Sequence, residues 1–357
     1  MVKYIFKRLL YGVSILWGVV TVIFLLFNLM PGDIERMILG NRPTPEAVET
    51  LRKELGRDEP LLTQYFLYLN DLSPISYHQT VNEDNVFFLD DQKYGHYNEI
   101  ISFTSSSIGL KPPYLRRSYK SRRKVSDVIL TALPNTSMLA LFSMGFAMIV
   151  GVAIGTVAAI KKGTAWDGNM LIIAVLGMAL PSFFSGKIIQ VLFTDLWFPE
   201  WPSVGSLVQF DPDRGEDVLK WSVLILPAFT LGIRPLAIIM QLTRNSLLDV
   251  LGMDYVRTAK AKGLSYYKVL VKHALRNALN PVITAVSGWF AALLAGAIFI
   301  ERIFFYKGLG FELFEAVVGN DLPLAMGIVL FLAVAFVIVN IVVDIVYILL
   351  DPRIKLE

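Results

Sequence analysis

From Leu324 to Leu350 the chain carries one amide side chain, Asn340, and one charged side chain, Asp344, in an otherwise apolar run. A stretch of ~20 such residues covers the ~30 Å hydrocarbon thickness of a bilayer at ~1.5 Å per helical residue and is too long and too uniform for an ordinary soluble core helix. Runs of the same kind begin at Leu9 and end at Met30, and recur at about 133–160, 169–193, 221–243 and 282–300. A hydrophobic fraction of 55% agrees with them. The fold class this predicts is all-α: a polytopic membrane protein with six transmembrane helices.

Charge sets the orientation. Lys3, Lys7 and Arg8 precede the first run, Lys161 and Lys162 follow the second, and the segment 244–281 carries Arg244, Arg257, Lys260, Lys262, Lys268, Lys272 and Arg276 against Asp249 and Asp254. Cationic loops stay in the cytoplasm, so both termini are expected there, in a multi-pass protein. The first run exceeds the ~7–15 residues of a signal-peptide core and ends in Met30-Pro31-Gly32-Asp33 without a small-x-small site, so an uncleaved anchor is expected. The domain reading is 1–30 as tail and first span, 31–125 as an extracytoplasmic domain between helices 1 and 2, and 126–357 as the membrane core.

The extracytoplasmic part opens with helix signals. Thr44 is placed to cap, Pro45 to occupy the first helical position, and Gly56 to close a helix over Glu46–Leu55; a second amphipathic helix is expected over Leu61–Leu72. Residues 73–108, rich in aromatic and acidic side chains such as Tyr77, Phe87, Phe88, Asp90, Asp91 and Tyr94, have the character of an insertion, either a lid or protein contact or an inert elaboration. The basic run Lys111–Lys124 opposes an exterior placement, but residues 31–125 balance thirteen acids with thirteen bases and the charge rule is weak for long loops. Its plain reading is a solvated charged face paired with acids of the insertion.

Segment 244–281 reads as two short helices around a sharp turn. Asp254 can cap a helix over Tyr255–Lys262, Gly263 stands where a left-handed residue is wanted, Ser265 can cap a second helix, and Pro281 falls where the chain changes direction. Val256, Ala259 and Leu264 recur at helical spacing, leaving Arg257, Lys260 and Lys262 on other faces. Such a helix can meet a partner protein, or it can simply fix topology and touch anionic lipid.

Catalytic chemistry has little to work with. There is no cysteine, hence no disulfide or thiolate metal site, and His78, His96 and His273 all lie outside the apolar runs. No metal site is expected. The only Gly-Lys pair, Gly186-Lys187, is followed by Ile188 and does not make a phosphate loop, and neither a nucleophile elbow nor a zinc-protease helix occurs. A net charge of +3, spread through loops, gives no reason to expect nucleic acid. Within the spans the notable polar groups are Lys187, Arg234, Asn340 and Asp344. An arginine facing lipid at mid-membrane costs at least ~2.5–3.5 kcal/mol, so Arg234 lines a path with Asn340 and Asp344 as further candidates, or forms a buried pair, with Asp344 the available acid. Pro235 beside it is expected to unwind the helix locally.

Several stretches resemble one family. DYVRTAKAKGLS followed by KHALRNALNPVIT resembles the coupling loop of ABC-importer permeases of the dipeptide/oligopeptide/nickel class, first-permease (B-type) branch. The opening KRLLYGVSILWGVVTVIFLLFNLMPGD, the PEA…LG…P…QY pattern, WFPEWPSVG, the terminal DPRIKLE and ERIFFYKGLGFELFEAVVGNDLPLAMG, through Glu301, Phe304, Gly308, Leu309, Gly310, Asp321 and Pro323, resemble it too. The generic importer pattern begins Glu-Ala-Ala; here Arg257, Thr258, Ala259 and Gly263 hold the corresponding places, a departure shared by the peptide-type branch.

The resemblance implies a type I importer permease fold in a bacterial inner membrane. It implies a transport subunit that is not itself an enzyme, with a second homologous permease, two cytoplasmic ATPases, an extracytoplasmic substrate-binding protein and membrane lipid as partners. No cofactor is expected on this chain; ATP and Mg belong to the ATPases. Asp254, Tyr255, Arg257, Thr258, Ala259, Lys260, Ala261, Gly263 and Leu264 become the expected ATPase-coupling residues. The rival from the residues alone is a secondary transporter or channel that needs no ATPase, though such proteins usually carry ionisable midplane residues in repeated halves.

Overall fold

The computed structural model describes residues 2–29, 39, 43–54, 56–82, 85–199, 205–212 and 214–350. The turn expected at 30–33, Pro202 and the tail 351–357 lie outside these residues. In chain order the helices are α1 (Val2–Leu29), α2 (Pro45–Glu54), α3 (Leu61–Leu72), α4 (Asp91–Tyr94), α5 (Val125–Ile160), α6 (Ala165–Ala179), α7 (Ser182–Gln190), α8 (Ser222–Leu251), α9 (Asp254–Ala261), α10 (Tyr266–Lys268), α11 (Arg276–Ala278), α12 (Asn280–Ile303), α13 (Leu309–Val318) and α14 (Leu322–Leu350). The strands are β1 (Ile75–Gln79), β2 (Asn98–Ser102), β3 (Ser106–Leu110), β4 (Val208–Asp211) and β5 (Glu216–Leu219). The chain divides into two compact units, one built mainly from Thr131–Glu315 and the other from Leu9–Leu130 with Ala316–Ala333.

In the larger unit, Leu139, Ala147, Leu224, Ile239, Ile300, Phe304 and Tyr306 form one buried core. Apolar helices gain nothing from leaving lipid for one another, so close packing must hold them. Gly155 shows how: a Cβ there would stand 2.5 Å from the Met240 carbonyl oxygen, so only glycine lets α5 and α8 approach this closely. Outward side chains such as Ile149, Ile172, Ile173 and Leu176 are exposed and apolar, as a lipid-facing surface requires. The Glu301 carboxylate is buried; it accepts hydrogen bonds from Thr136 Oγ1 at 2.7 Å and the Phe311 amide at 2.9 Å, while the Leu309 amide donates to Thr136 Oγ1 at 2.7 Å. Through it, the start of α13, which carries the Gly-Leu-Gly stretch, is fastened to the end of α12 and to α5.

Three helices among the described residues, α5, α8 and Leu322–Val343 of α14, are each long and apolar enough to cross a membrane. The run expected as one span over 169–193, with Pro181 inside it, is two pieces, α6 and the stretch Ser182–Trp197, bent by 106°. Pro181 explains the break: it pushes Leu180 out of helical conformation, to φ −73° and ψ 129°, before the chain turns helical again. The expected unwinding at Pro235 does not occur. α8 runs unbroken through Pro227 and Pro235. A proline removes one backbone donor, and the buried Pro235 is accommodated within one continuous helix.

The smaller unit corrects the all-α expectation. Residues 75–110 hold an antiparallel sheet of order β1-β3-β2, and the loop 205–220 of the larger unit holds the hairpin β4-β5. The flanking helices follow the sequence closely: α3 has the expected limits, Thr44 Oγ1 accepts from the Ala47 amide, and Gly56 has φ +63°.

Asp71, 1% exposed at the end of α3, is the hub of this unit. Its carboxylate accepts from Tyr94 Oη at 2.8 Å and lies 3.1 Å from Lys93 Nζ and 3.4 Å from Arg116 Nε; Lys111 Nζ donates to its backbone oxygen at 2.6 Å. The basic run is therefore not simply a solvated face paired with the insertion. Lys111 and Arg116 turn inward to Asp71, which precedes the insertion. Burial pulls the Lys111 ammonium down to about 8 despite Asp71, and it pulls the His78 imidazole down to about 4, aided by the charges of Lys111 and Lys93.

Candidate functional site

The basic segment begins inside α8, which continues seven residues past Arg244 to Leu251. Arg244 makes a two-pronged bond to Asp167 of α6, Nε to Oδ1 at 2.5 Å and Nη2 to Oδ2 at 2.7 Å, and the Gly163 amide donates to the same carboxylate at 3.0 Å. Such a planar fork fixes direction as well as distance. Sequence reasoning missed Asp167, because nothing in its neighbourhood announces a partner 77 residues away.

Gly252 closes α8 and Met253, extended at φ −77° and ψ 150°, occupies the cap position of α9. Asp254 was expected to cap; it is instead the first helical residue, where its charge favours the amino-terminal end of the helix and lies 3.7 Å from Arg257. The helix ends one residue earlier than expected, at Ala261. Gly263 has φ +76°, the left-handed conformation its position called for, and its amide donates to the Lys260 carbonyl. A Cβ there would meet nothing within 4 Å, so a bulkier residue is opposed by the backbone angle alone.

After the turn, Ser265 precedes α10; the helix then widens into a π-wound stretch, Val269–Leu275, and tightens again in α11. Pro281 stands in the first turn of α12, just past the break at Leu279. Val256 and Ala259 face inward and pack with Leu247, Val250, Val269, Leu270, Ala274, Ala278 and Ala159 in a separate core. Tyr255, Arg257, Thr258, Lys260, Ala261, Gly263 and Leu264 are left exposed, and Asn277 Nδ2 donates to Tyr255 Oη at 2.9 Å, tying α9 to the second helical arm. The structure thus seats α9 by its apolar face on its own chain and turns its polar face outward.

Arg234 is exposed on α8, and no ion pair involves it among the described residues. Asn340 Nδ2 donates to the Phe336 carbonyl of its own helix at 2.8 Å. The side chain of Asp344 lies outside those described. Among the described side chains, no hydrogen bond or ion pair joins Arg234 to Asn340.

The sequence matches two family models: the binding-protein-dependent transport system inner membrane component over residues 151–356, and the corresponding amino-terminal component over residues 1–83. It is 33% identical to the dipeptide transport system permease protein DppB of Alkalihalophilus pseudofirmus, over 99% of this chain and 100% of that protein. It is 34% identical to the glutathione transport system permease protein GsiC of Escherichia coli K12, over 99% of each. Among solved structures, the inward-facing MetNI methionine ABC transporter shares the fold, with a TM-score of 0.50 at 14% identity over 63% of this chain and 96% of that one. With its apolar helices and these full-length matches, the chain belongs to the binding-protein-dependent transport system inner membrane component family, as a membrane transport permease.

Proposed function

We propose that the chain is one of two permease subunits of an ABC importer for peptides or peptide-like solutes, with six spans, both termini in the cytoplasm and residues 31–125 outside. The observation that carries the reading is α9: a short helix seated by Val256 and Ala259, displaying Arg257, Thr258, Lys260 and Ala261, and ended by a left-handed Gly263. A rigid ridge of this kind suits a cytoplasmic ATPase that must push on the membrane helices. ATP and Mg would bind to that partner, whose closure would tilt α9 and switch the spans between inward-open and outward-open states. The Arg244–Asp167 fork supports the same reading, since it joins the root of the segment to α6.

Co-purification tests the assembly directly. A stoichiometric ATPase is expected; uptake by this chain alone would replace the reading with a secondary transporter. Arg234, exposed at the middle of a span, is assigned to the translocation path, with Asn340 and Asp344 as further members. Arg234→Met should cut solute flux at least ~10-fold with assembly intact, measured as uptake per purified complex. Loss of assembled complex would make it a structural residue instead.

A further inference from the structure

Residues Arg116–Val125 form a tight basic hairpin immediately before α5. Its arms are paired by the Ser118 amide to the Arg123 carbonyl at 3.0 Å and the Val125 amide to the Arg116 carbonyl at 3.1 Å, with a bridge between Arg117 and Lys124. Its tip is held by Asp321, 2% exposed: the carboxylate accepts from Ser118 Oγ at 2.5 Å, from the Tyr119 amide at 3.0 Å and from the Lys120 amide at 3.3 Å. The Ser121 amide closes onto Ser118 Oγ at 3.0 Å. Arg116 and Arg122 sit at φ +66° and +58°, where side-chain-bearing residues persist only when their surroundings enforce it.

What this frame displays is unneutralised charge. Arg116 is engaged with Asp71, but Lys120, Arg122, Arg123 and Lys124 are exposed and have no ion pair among the described residues. These four cations crowd into five positions, and the last two stand at the amino-terminal end of α5, where positive charge is disfavoured. Neither fold stability nor topology accounts for that arrangement, since cations at an outer boundary oppose the usual charge bias. A polyanionic partner does.

We propose that this hairpin is a docking surface for an acidic face on the soluble solute-binding protein of the system, a proposal that rests on the importer reading and its topology. The length of α5 favours a protein over lipid headgroups. Its 36 residues extend about 54 Å at ~1.5 Å each, against ~40–45 Å for a bilayer with its headgroups. With its inner end level with the inner headgroups, α5 needs a tilt of about 34–42° to bring the hairpin down to headgroup level, well above the ~20° that spans average. At smaller tilts it stands clear of the membrane, where an exterior protein meets it.

The test uses the assembled complex in nanodiscs with its binding protein, and the variant Lys120→Glu/Arg123→Glu/Lys124→Glu, which leaves the left-handed Arg122 in place. Reversal should raise the binding-protein concentration for half-maximal uptake at least ~10-fold, keep the maximal rate within about twofold, and remove most of the salt dependence of that concentration. The neutral variant Lys120→Gln/Arg123→Gln/Lys124→Gln should fall between, which guards against a reversal that merely disturbs folding. An unchanged half-maximal concentration and salt dependence in both variants overturns the proposal. So does a loss that depends on anionic lipid content at saturating binding protein, which would make the hairpin a membrane contact. Uptake by the unaltered complex keeps the importer reading standing in either case.

Discussion

The segment 244–281 and the polar segment 43–124 both carry charges beside apolar helices, yet they are held in opposite ways. In the first, the interior is apolar: Val256, Ala259, Val269, Leu270 and Ala274 meet, and the charges stay outside. In the second, the interior is polar. Asp71, Lys111, Ser76 and His78 are buried; Asp71 meets Tyr94 and Lys111, and His78 Nε2 meets Ser76 Oγ while its Nδ1 has no hydrogen-bond partner among the described residues and its ring lies 4.5 Å from that of Tyr94. Apolar packing tolerates change on its surface and lets a helix move as a body, whereas a buried polar network fixes one arrangement and fails when a member or its protonation changes.

The largest effect should come from breaking the network at its hub. Asp71→Ala leaves the Tyr94 hydroxyl and the cations of Lys93 and Arg116 without their acid, a loss of ~3–5 kcal/mol by analogy with other broken buried pairs. Amide hydrogen exchange on β1–β3 should accelerate while α9 is unaffected. Equal acceleration in both segments would show that the two are not independently held.

Next comes pH. With a folded value of about 4 against 6.5 unfolded, His78 is neutral in both states above 6.5. Between 6.5 and 4 the unfolded chain binds the extra proton, so stability falls as the solution is acidified, by ~3 kcal/mol over the whole window. The groups facing His78 include Lys111, Lys93, Asp71 and Tyr94, so an added positive charge meets two cations and one acid. Exchange on β1–β3 should rise across this window, and His78→Gln should flatten the response. A response that survives in His78→Gln assigns the sensitivity elsewhere.

The smallest change in stability, with the largest functional consequence, is expected at Gly263. A β-branched residue at φ +76° is strained by ~1–2 kcal/mol but meets no atoms. Gly263→Val should leave normal amounts of complex while uptake no longer follows ATP hydrolysis, measured as solute imported per ATP consumed. An unchanged ratio removes Gly263 from coupling.

Much of this was legible because it is local. Thr44, Pro45 and Gly56 bracket α2, α3 keeps its expected limits, and Gly263 takes the backbone angle its place demanded. The misses are of three kinds. Strands β1–β3 are short, and the exposed β2 gave no clean alternation to read. The bend at Leu180–Pro181 was signalled by the proline, but the apolar run around it read as continuous. Asp71 with Arg116, Asp167 with Arg244, and Ser118 with Asp321 join residues 45, 77 and 203 positions apart, and no local pattern encodes such pairs. Of the candidate path residues, Arg234 is exposed on α8 and Asn340 bonds within its own helix, and neither position shows in the sequence which side chain it faces.

On the importer reading, α9 meets an ATPase and the sheet β1–β3 does not. The chain has no cysteine, so single thiols can be placed at Ala261 and at Ile101, both exposed, and each labelled with a thiol-linked photocrosslinker in the assembled complex. Ala261→Cys should crosslink to the ATPase subunit, in a yield that changes on adding ATP, whereas Ile101→Cys should not. Failure of Ala261→Cys to capture the ATPase in any nucleotide state, or equal capture from Ile101→Cys, would show that α9 is not the ATPase-facing element.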